Sequence, residues 1–152
     1  MKRYWLFKAE PDVYGIDHLA AEKNQTGRWD GIRNYQARNF LRDQVSLDDE
    51  VLLYHSQCKH IGVVGTARVV KAAYPDPTQF NPESDYYDPK ASADAPRWFS
   101  VDIRLQEKFN RTIPLAEIKQ HPQLSEMVLV KQGRLSIQPV TPEEWKIILR
   151  MQ

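Results

Sequence analysis

The stretch Glu50-Val51-Leu52-Leu53-Tyr54-His55-Ser56, followed after Gln57-Cys58-Lys59 by His60-Ile61-Gly62-Val63-Val64-Gly65-Thr66-Ala67-Arg68-Val69-Val70-Lys71, decides the fold class. Val51 to Tyr54 is a continuous apolar run, and Ile61, Val63, Val64, Val69 and Val70 are β-branched. Two strands are therefore predicted over 50–56 and 60–71, with Cys58 and Lys59 in the turn between them. Gly62 and Gly65 inside the second strand point to a bulge, a bend, or close approach by something flat. Tyr54-His55-Ser56 ends the first with three hydrogen-bonding side chains. That pattern fits the rim of a site and equally fits ordinary strand-end polarity.

Working outward, Tyr4 and Leu6 alternate with Trp5 and Phe7, so both faces of a first strand over 2–8 are apolar and it belongs inside a sheet. Glu10-Pro11 ends it. Ile16, Leu19 and Ala20 predict a short helix to Glu22, and Lys23 to Gly27 a polar turn. A second helix follows near 34–42. Trp98 to Gln106 alternates as a strand with one apolar face. Pro114 to Gln120 reads as a short helix stopped by His121-Pro122, Leu124 to Leu129 as a further turn, and Arg134 to Gln138 as a short strand. Thr141-Pro142-Glu143-Glu144 is a capping box opening a closing helix whose apolar face is Trp145, Ile148 and Leu149. Strands at both ends and in the middle, without a βαβ rhythm, predict an α+β domain on a curved or barrel-like sheet.

The bulk numbers set limits. At 152 residues one domain with a full core is expected. A composition 41% apolar and 27% charged is that of a soluble protein, and no apolar run reaches the roughly 20 residues of a membrane helix. The N-terminus lacks the apolar length of a secretory signal. A single cysteine, Cys58, forms no internal disulfide, and a cytoplasmic location is expected. Net charge is +1, from 21 basic and 20 acidic residues, so no global polyanion signature exists. The charges are unevenly spread, with Arg28, Arg33, Arg38 and Arg42 against Asp30, then five acids against Lys90 over 76–94. Any nucleic-acid contact is expected to be local. Five of the ten prolines fall in 75–96 with Tyr74, Phe80, Tyr86 and Tyr87, which predicts a structured loop.

Trp29-Asp30-Gly31-Ile32-Arg33-Asn34-Tyr35-Gln36-Ala37-Arg38-Asn39 gathers aromatic faces, amides and guanidinium groups around a glycine turn. Those ingredients recognise nucleobases and phosphates. The plainer reading is a loop-to-helix junction with Asn34 as N-cap, Tyr35 and Phe40 packed inward and the arginines solvated. Phosphate-loop and dinucleotide motifs are missing, as are H-E-x-x-H and C-x-x-C. His55, Cys58 and His60 lack the further ligands a zinc site needs, so neither metal nor cofactor is expected. Glu10 with Asp30 is the one carboxylate pair considered for acid–base work. Lys131 to Ser136 is a second compact cationic and amide cluster that also reads as a solvated turn.

The blocks Tyr4-Trp5-Leu6-Phe7-Lys8-Ala9-Glu10-Pro11, Trp29 to Asn39, Tyr54-His55-Ser56, Gly62-Val63-Val64-Gly65, Tyr74 to Thr78, Tyr86 to Lys90, Pro96-Arg97-Trp98 and Gln132 to Val140 together resemble the EVE domain family. The resemblance spans nearly the whole chain and implies one EVE domain over 1–152. Its implied fold is PUA-like, a pseudo-barrel of mixed β-sheet flanked by short helices, similar to YTH domains. It further implies a non-catalytic reader that takes a modified base, foremost a modified cytosine such as 5-methylcytosine in DNA, flipped into an aromatic cage; a monomer is expected. On that basis Trp29, Tyr35 and Trp98 are expected to stack on the base. Asn34, Ser56 and Glu10, assisted by Lys8, are expected to read its edge, and Arg33, Lys131 and Arg134 to hold flanking phosphates. One departure is Ala9, where the family pattern carries serine; the missing hydroxyl is worth about 1 kcal/mol. The Gln57-Cys58 turn also departs from an expected asparagine. Two other readings stay open: an RNA-binding module in tRNA or rRNA modification, and a hydrolase or glycosylase acting through Glu10 or Asp30.

Overall fold

The computed structural model describes residues 2–152; Met1, included in the expected domain, lies outside them. Six strands make one mixed sheet: β1 (Tyr4–Ala9), β2 (Thr26–Trp29), β3 (Glu50–His55), β4 (Gly62–Pro75), β5 (Phe99–Pro114) and β6 (Ile137–Val140). Their order is β2-β5-β4-β3-β1-β6, so β2 and β6 are edges and the sheet does not close. Six short helices flank it: α1 (Pro11–Tyr14), α2 (Ile16–Ala21), α3 (Tyr35–Asp43), α4 (Leu115–Gln120), α5 (Val128–Lys131) and α6 (Pro142–Met151). This is the expected α+β class.

The two-faced apolar pattern of β1 has the predicted consequence. Trp5 and Phe7 enter a core with Leu19 of α2 and Leu41 of α3, while Leu6 enters a second core with Trp145 and Ile148 of α6 on the opposite face. Between them, β1 runs parallel to β3 and antiparallel to β6. The glycines of β4 reflect backbone crowding rather than a ligand. A Cβ at Gly62 would stand 2.0 Å from the carbonyl oxygen of Ile113 in the neighbouring β5, and the β4–β5 register shifts between Val63 and Gly65. Any side chain there would part the ladder.

Some boundaries differ from expectation. β2 is an unforeseen strand, since four residues containing glycine carry no readable period. Pro11 opens α1 instead of merely ending β1, because proline suits the first helical turn. β5 runs on past Gln106 to Pro114. The closing strand starts at Ile137, not Arg134, and 132–136 form a turn.

The capping box at α6 is complete. Thr141 Oγ1 accepts from the Glu144 amide at 3.1 Å and Glu144 Oε1 from the Thr141 amide at 3.0 Å. Thr141→Ala is expected to cost about 1 kcal/mol by urea denaturation, with the slope unchanged, since α6 anchors the second core.

Candidate nucleic-acid interface

Parallel pairing of β1 with β3 brings two strand C-termini side by side, Lys8 opposite Tyr54 and Ala9 opposite His55. The Ser56 amide extends the ladder by donating to the Ala9 carbonyl at 2.9 Å. The residues just beyond, Glu10 and Ser56, therefore emerge together. With the end of β2, the 133–136 turn and Tyr86 of the long loop, they border a cleft of about 1060 Å³.

Of the expected site residues, Lys8, Glu10, Trp29, Arg33, Asn34, Ser56 and Arg134 line this one cleft. Trp29 is its floor, only 6% exposed, with its ring 5.6 Å from Phe7 and edge-on to Tyr14 at 6.1 Å. The Lys8 ammonium donates to the Gly133 carbonyl, and lies 5.3 Å from the Tyr54 ring centroid. Burial lowers its pKa from the ordinary lysine value. Asn34 caps α3, its Oδ1 accepting from the Ala37 amide at 2.9 Å, so the plainer reading of this residue holds, and its amide NH₂ donates to no group among the described residues. Arg134 is exposed at the rim.

Three expected residues stand elsewhere. Tyr35 and Trp98 pack on each other outside the cleft, ring centroids 4.9 Å apart. Trp98 is 6% exposed and its indole donates to Asp88 at 2.8 Å, which makes it the anchor of the long loop. Tyr35, expected inward by the plainer reading, is 52% exposed because it opens α3 on the outer side. Lys131 pairs with Glu126 at 2.7 Å on the surface, so its charge is already engaged.

Arg33 lines the cleft but has no donor left for a phosphate. Its guanidinium gives bonds to the Ile32 carbonyl (2.9 Å), Asp76 (3.1 Å), Thr78 Oγ1 (3.1 Å) and the Tyr86 carbonyl (2.6 and 3.1 Å). Five bonds use all five N–H groups. Arg33 is thus a staple between the Trp29–Asn34 turn and the long loop. Its partner Asp76 is fully buried and also accepts from the Gly31 amide (2.9 Å) and from Thr78 twice (2.8 and 2.6 Å). Gly31 has φ +79°, and a Cβ there would press into the Tyr86 ring at 2.7 Å. Glycine lets the backbone pass directly behind that aromatic.

Sequence reasoning missed Tyr86, Tyr14 and Arg28 as cleft residues. Tyr86 lies in a recognisable block, but its place on the cleft wall depends on tertiary contacts, its carbonyl held by Arg33 and its ring lying against Gly31. Burial raises its hydroxyl pKa, and the carboxylates of Asp30, Asp85 and Glu10 add to the rise, so acids gather at this wall. Tyr14 is pushed up to about 12 by burial with help from Glu22 and Asp30, and its buried hydroxyl has no hydrogen-bond partner. Asp30 itself is held by Arg28 at 3.0 Å. Gln57, also on the cleft, has φ +54°, a left-handed conformation that costs a non-glycine residue about 1–2 kcal/mol. Among the described residues no group of three His, Cys, Asp or Glu side chains converges as a metal site would.

An open mixed sheet whose parallel strand ends frame an aromatic-floored polar cleft is the α+β architecture expected of a PUA-like domain. The EVE domain model matches residues 3–151, and the chain belongs to that family. Mouse thymocyte nuclear protein 1 is 43% identical over an alignment of 169 positions, gaps included, covering 100% of this chain and 74% of the relative. The crystal structure of human THYN1 protein in complex with 5-methylcytosine containing DNA superposes with a TM-score of 0.94 at 43% identity, covering 99% and 97% of the two chains. A hypothetical protein from Leishmania major superposes at 0.95 with 44% identity, covering 99% and 94%. The expected cytoplasmic location is corrected by these comparisons, since the full-length relatives of mouse and man are named nuclear proteins. A lone cysteine is compatible with a reducing compartment without choosing one, and both cytoplasm and nucleus are reducing.

Proposed function

We propose that the cleft binds a modified cytosine flipped out of DNA and leaves it chemically unchanged. Placement of Trp29 as an apolar floor beneath Lys8, Glu10 and Ser56 carries this reading. A flat base stacks on such a floor while its edge meets the polar rim. Cytosine offers an exocyclic amino donor, and a carboxylate is its natural acceptor, a role suited to Glu10. Lys8 and the Ser56 hydroxyl supply donors for the ring acceptors. The human relative solved with 5-methylcytosine containing DNA supports DNA as the polymer and this base as the modification. Arg134, exposed on the rim, suits a flanking phosphate.

The test is fluorescence anisotropy with duplexes carrying cytosine or 5-methylcytosine and with matched RNA, followed by mass spectrometry of the recovered oligomer. Preference for methylated DNA with an unaltered base is expected. Glu10 is exposed, so Glu10→Gln leaves folding intact, and a lost charged hydrogen bond of about 1.5–3 kcal/mol weakens methylated-DNA binding roughly ten- to hundredfold. Equal affinity for both duplexes, or conversion of the base, would sink the reading; tighter RNA binding would move it to the other polymer.

A further inference from the structure

The turn between β3 and β4 has two faces. Ser56 and Gln57 line the cleft. Lys59, His60 and Ile61 line a separate groove of about 430 Å³, bounded on the other side by Pro114, Leu115 and Lys119. Its walls are tied together: the Leu115 amide donates to the Ile61 carbonyl at 3.1 Å, and Gly62 pairs with Pro114. Ile61 is left 39% exposed in it. Lys59, His60 and Lys119 are all exposed, and among the described residues none forms an ion pair or a side-chain hydrogen bond. Lys2, Lys108, Lys131, Arg42 and Arg111 each hold a carboxylate, whereas Lys23, Lys90 and Lys146 are exposed cations as free as these two lysines, so it is their convergence on one groove that sets Lys59 and Lys119 apart. The one carboxylate of α4, Glu117, is taken by two bonds from Arg111 at 3.2 and 2.9 Å.

We infer that this groove takes the sugar-phosphate backbone of the strand that delivers the base to the cleft, an inference that rests on the function proposed above. Three residues of chain span at most about 11 Å, and a DNA strand advances about 3.4 Å per nucleotide along its axis. Lys59 therefore lies within roughly three nucleotides of a base seated beside Ser56. The lysines meet phosphates, the imidazole of His60 adds a donor, and Ile61, Pro114 and Leu115 accept the apolar face of a sugar or an unstacked base. The groove volume is within the roughly 300–1,000 Å³ of sites that enclose a small molecule, enough for one nucleotide unit. The base cleft thereby selects, and the groove adds affinity without selectivity.

The double variant Lys59→Gln, Lys119→Gln keeps a polar side chain and removes both charges from exposed positions, and its melting temperature serves as the folding control. Binding to methylated and unmethylated duplexes is measured by anisotropy across a salt series. Each phosphate contact contributes about 0.9 to the slope of log affinity against log salt, so the slope is expected to fall by about 2. At 0.15 M salt that is roughly fivefold per lysine, equal for both duplexes, with the methylation ratio preserved. An unchanged affinity and slope alongside intact methylation preference overturns the groove and leaves the base reading standing. A loss confined to the methylated duplex also overturns it, because the lysines would then serve the cleft. A wild type without methylation preference whose double variant binds all DNA more weakly upholds the groove and removes the base reading.

Discussion

Asp76→Ala is expected to lower stability by about 3 kcal/mol and to open the cleft at its outer wall. The carboxylate is fully buried and is the shared acceptor for Gly31, Arg33 and Thr78, on two segments more than 40 residues apart. Deleting one partner of a buried ion pair costs about 3–5 kcal/mol because the other charge is stranded. The side chain of Arg33 is 23% exposed and keeps its bonds to Tyr86 and Ile32, which places the cost at the lower end. Urea denaturation reads the loss directly. Binding of methylated DNA should weaken beyond what the unfolded fraction explains, since Gly31 and Tyr86 lose their mutual support. The same carboxylate also produces an acid dependence. Burial alone would raise its pKa, but the hydrogen bonds from Thr78, Gly31 and Arg33 outweigh burial and hold it below the ordinary value. Its stabilising contribution is therefore complete above the unfolded-state pKa of about 3.9 and is lost as pH falls through the lower folded value. Stability measured from pH 5 to 2 should drop more steeply in wild type than in Asp76→Asn. Parallel curves would refute the assignment.

Trp29→Ala has the other large effect, expected at about 3–5 kcal/mol. The indole is both the floor of the cleft and a member of the first core, packed on Phe7 and Tyr14. Its loss leaves a cavity under β2, an edge strand that pairs among the described residues with β5 alone. Affinity lost in this variant therefore mixes unfolding with stacking. Trp29→Phe separates them, keeping an aromatic face and most of the volume, so the fold should persist with a lowered melting temperature. Base stacking is worth about 1–3 kcal/mol. If Trp29 carries the base, the folded phenylalanine variant should lose part of that affinity, and methylated DNA should lose more than unmethylated. Equal, minor losses on both duplexes would assign the indole to the core alone.

The fold was legible where one residue reports on one neighbour relation. Apolar side chains on both faces of Tyr4–Phe7 require two cores, and both exist. Val51 to Tyr54 and the β-branched run after Ile61 pair as β3 and β4. The Thr141 box and the Asn34 cap are local hydrogen bonds between residues three apart, within reach of sequence reading. β2 was illegible because its four residues become a strand only by pairing with β5. The candidate site was legible in its residue types and partly in its membership. Trp98 and Tyr35 carry the chemistry of a cage, yet they pack on one another with tilted rings outside the cleft, and Tyr86 occupies the wall.

The sequence by itself determined the α+β class, the burial of both faces of β1, the helix caps and the kinship to EVE domains, because these depend on period, local bonds and the order of residue blocks. Only the tertiary structure decided which charges are free. Arg33, Lys131 and Arg134 read alike in the chain, but Asp76, Glu126 and open solvent distinguish them. The physical reason is that a cation is committed or available according to which acceptors folding sets beside it: Glu126 reaches Lys131 from five residues away, whereas Asp76 and Tyr86 are brought to Arg33 across 43 and 53 residues.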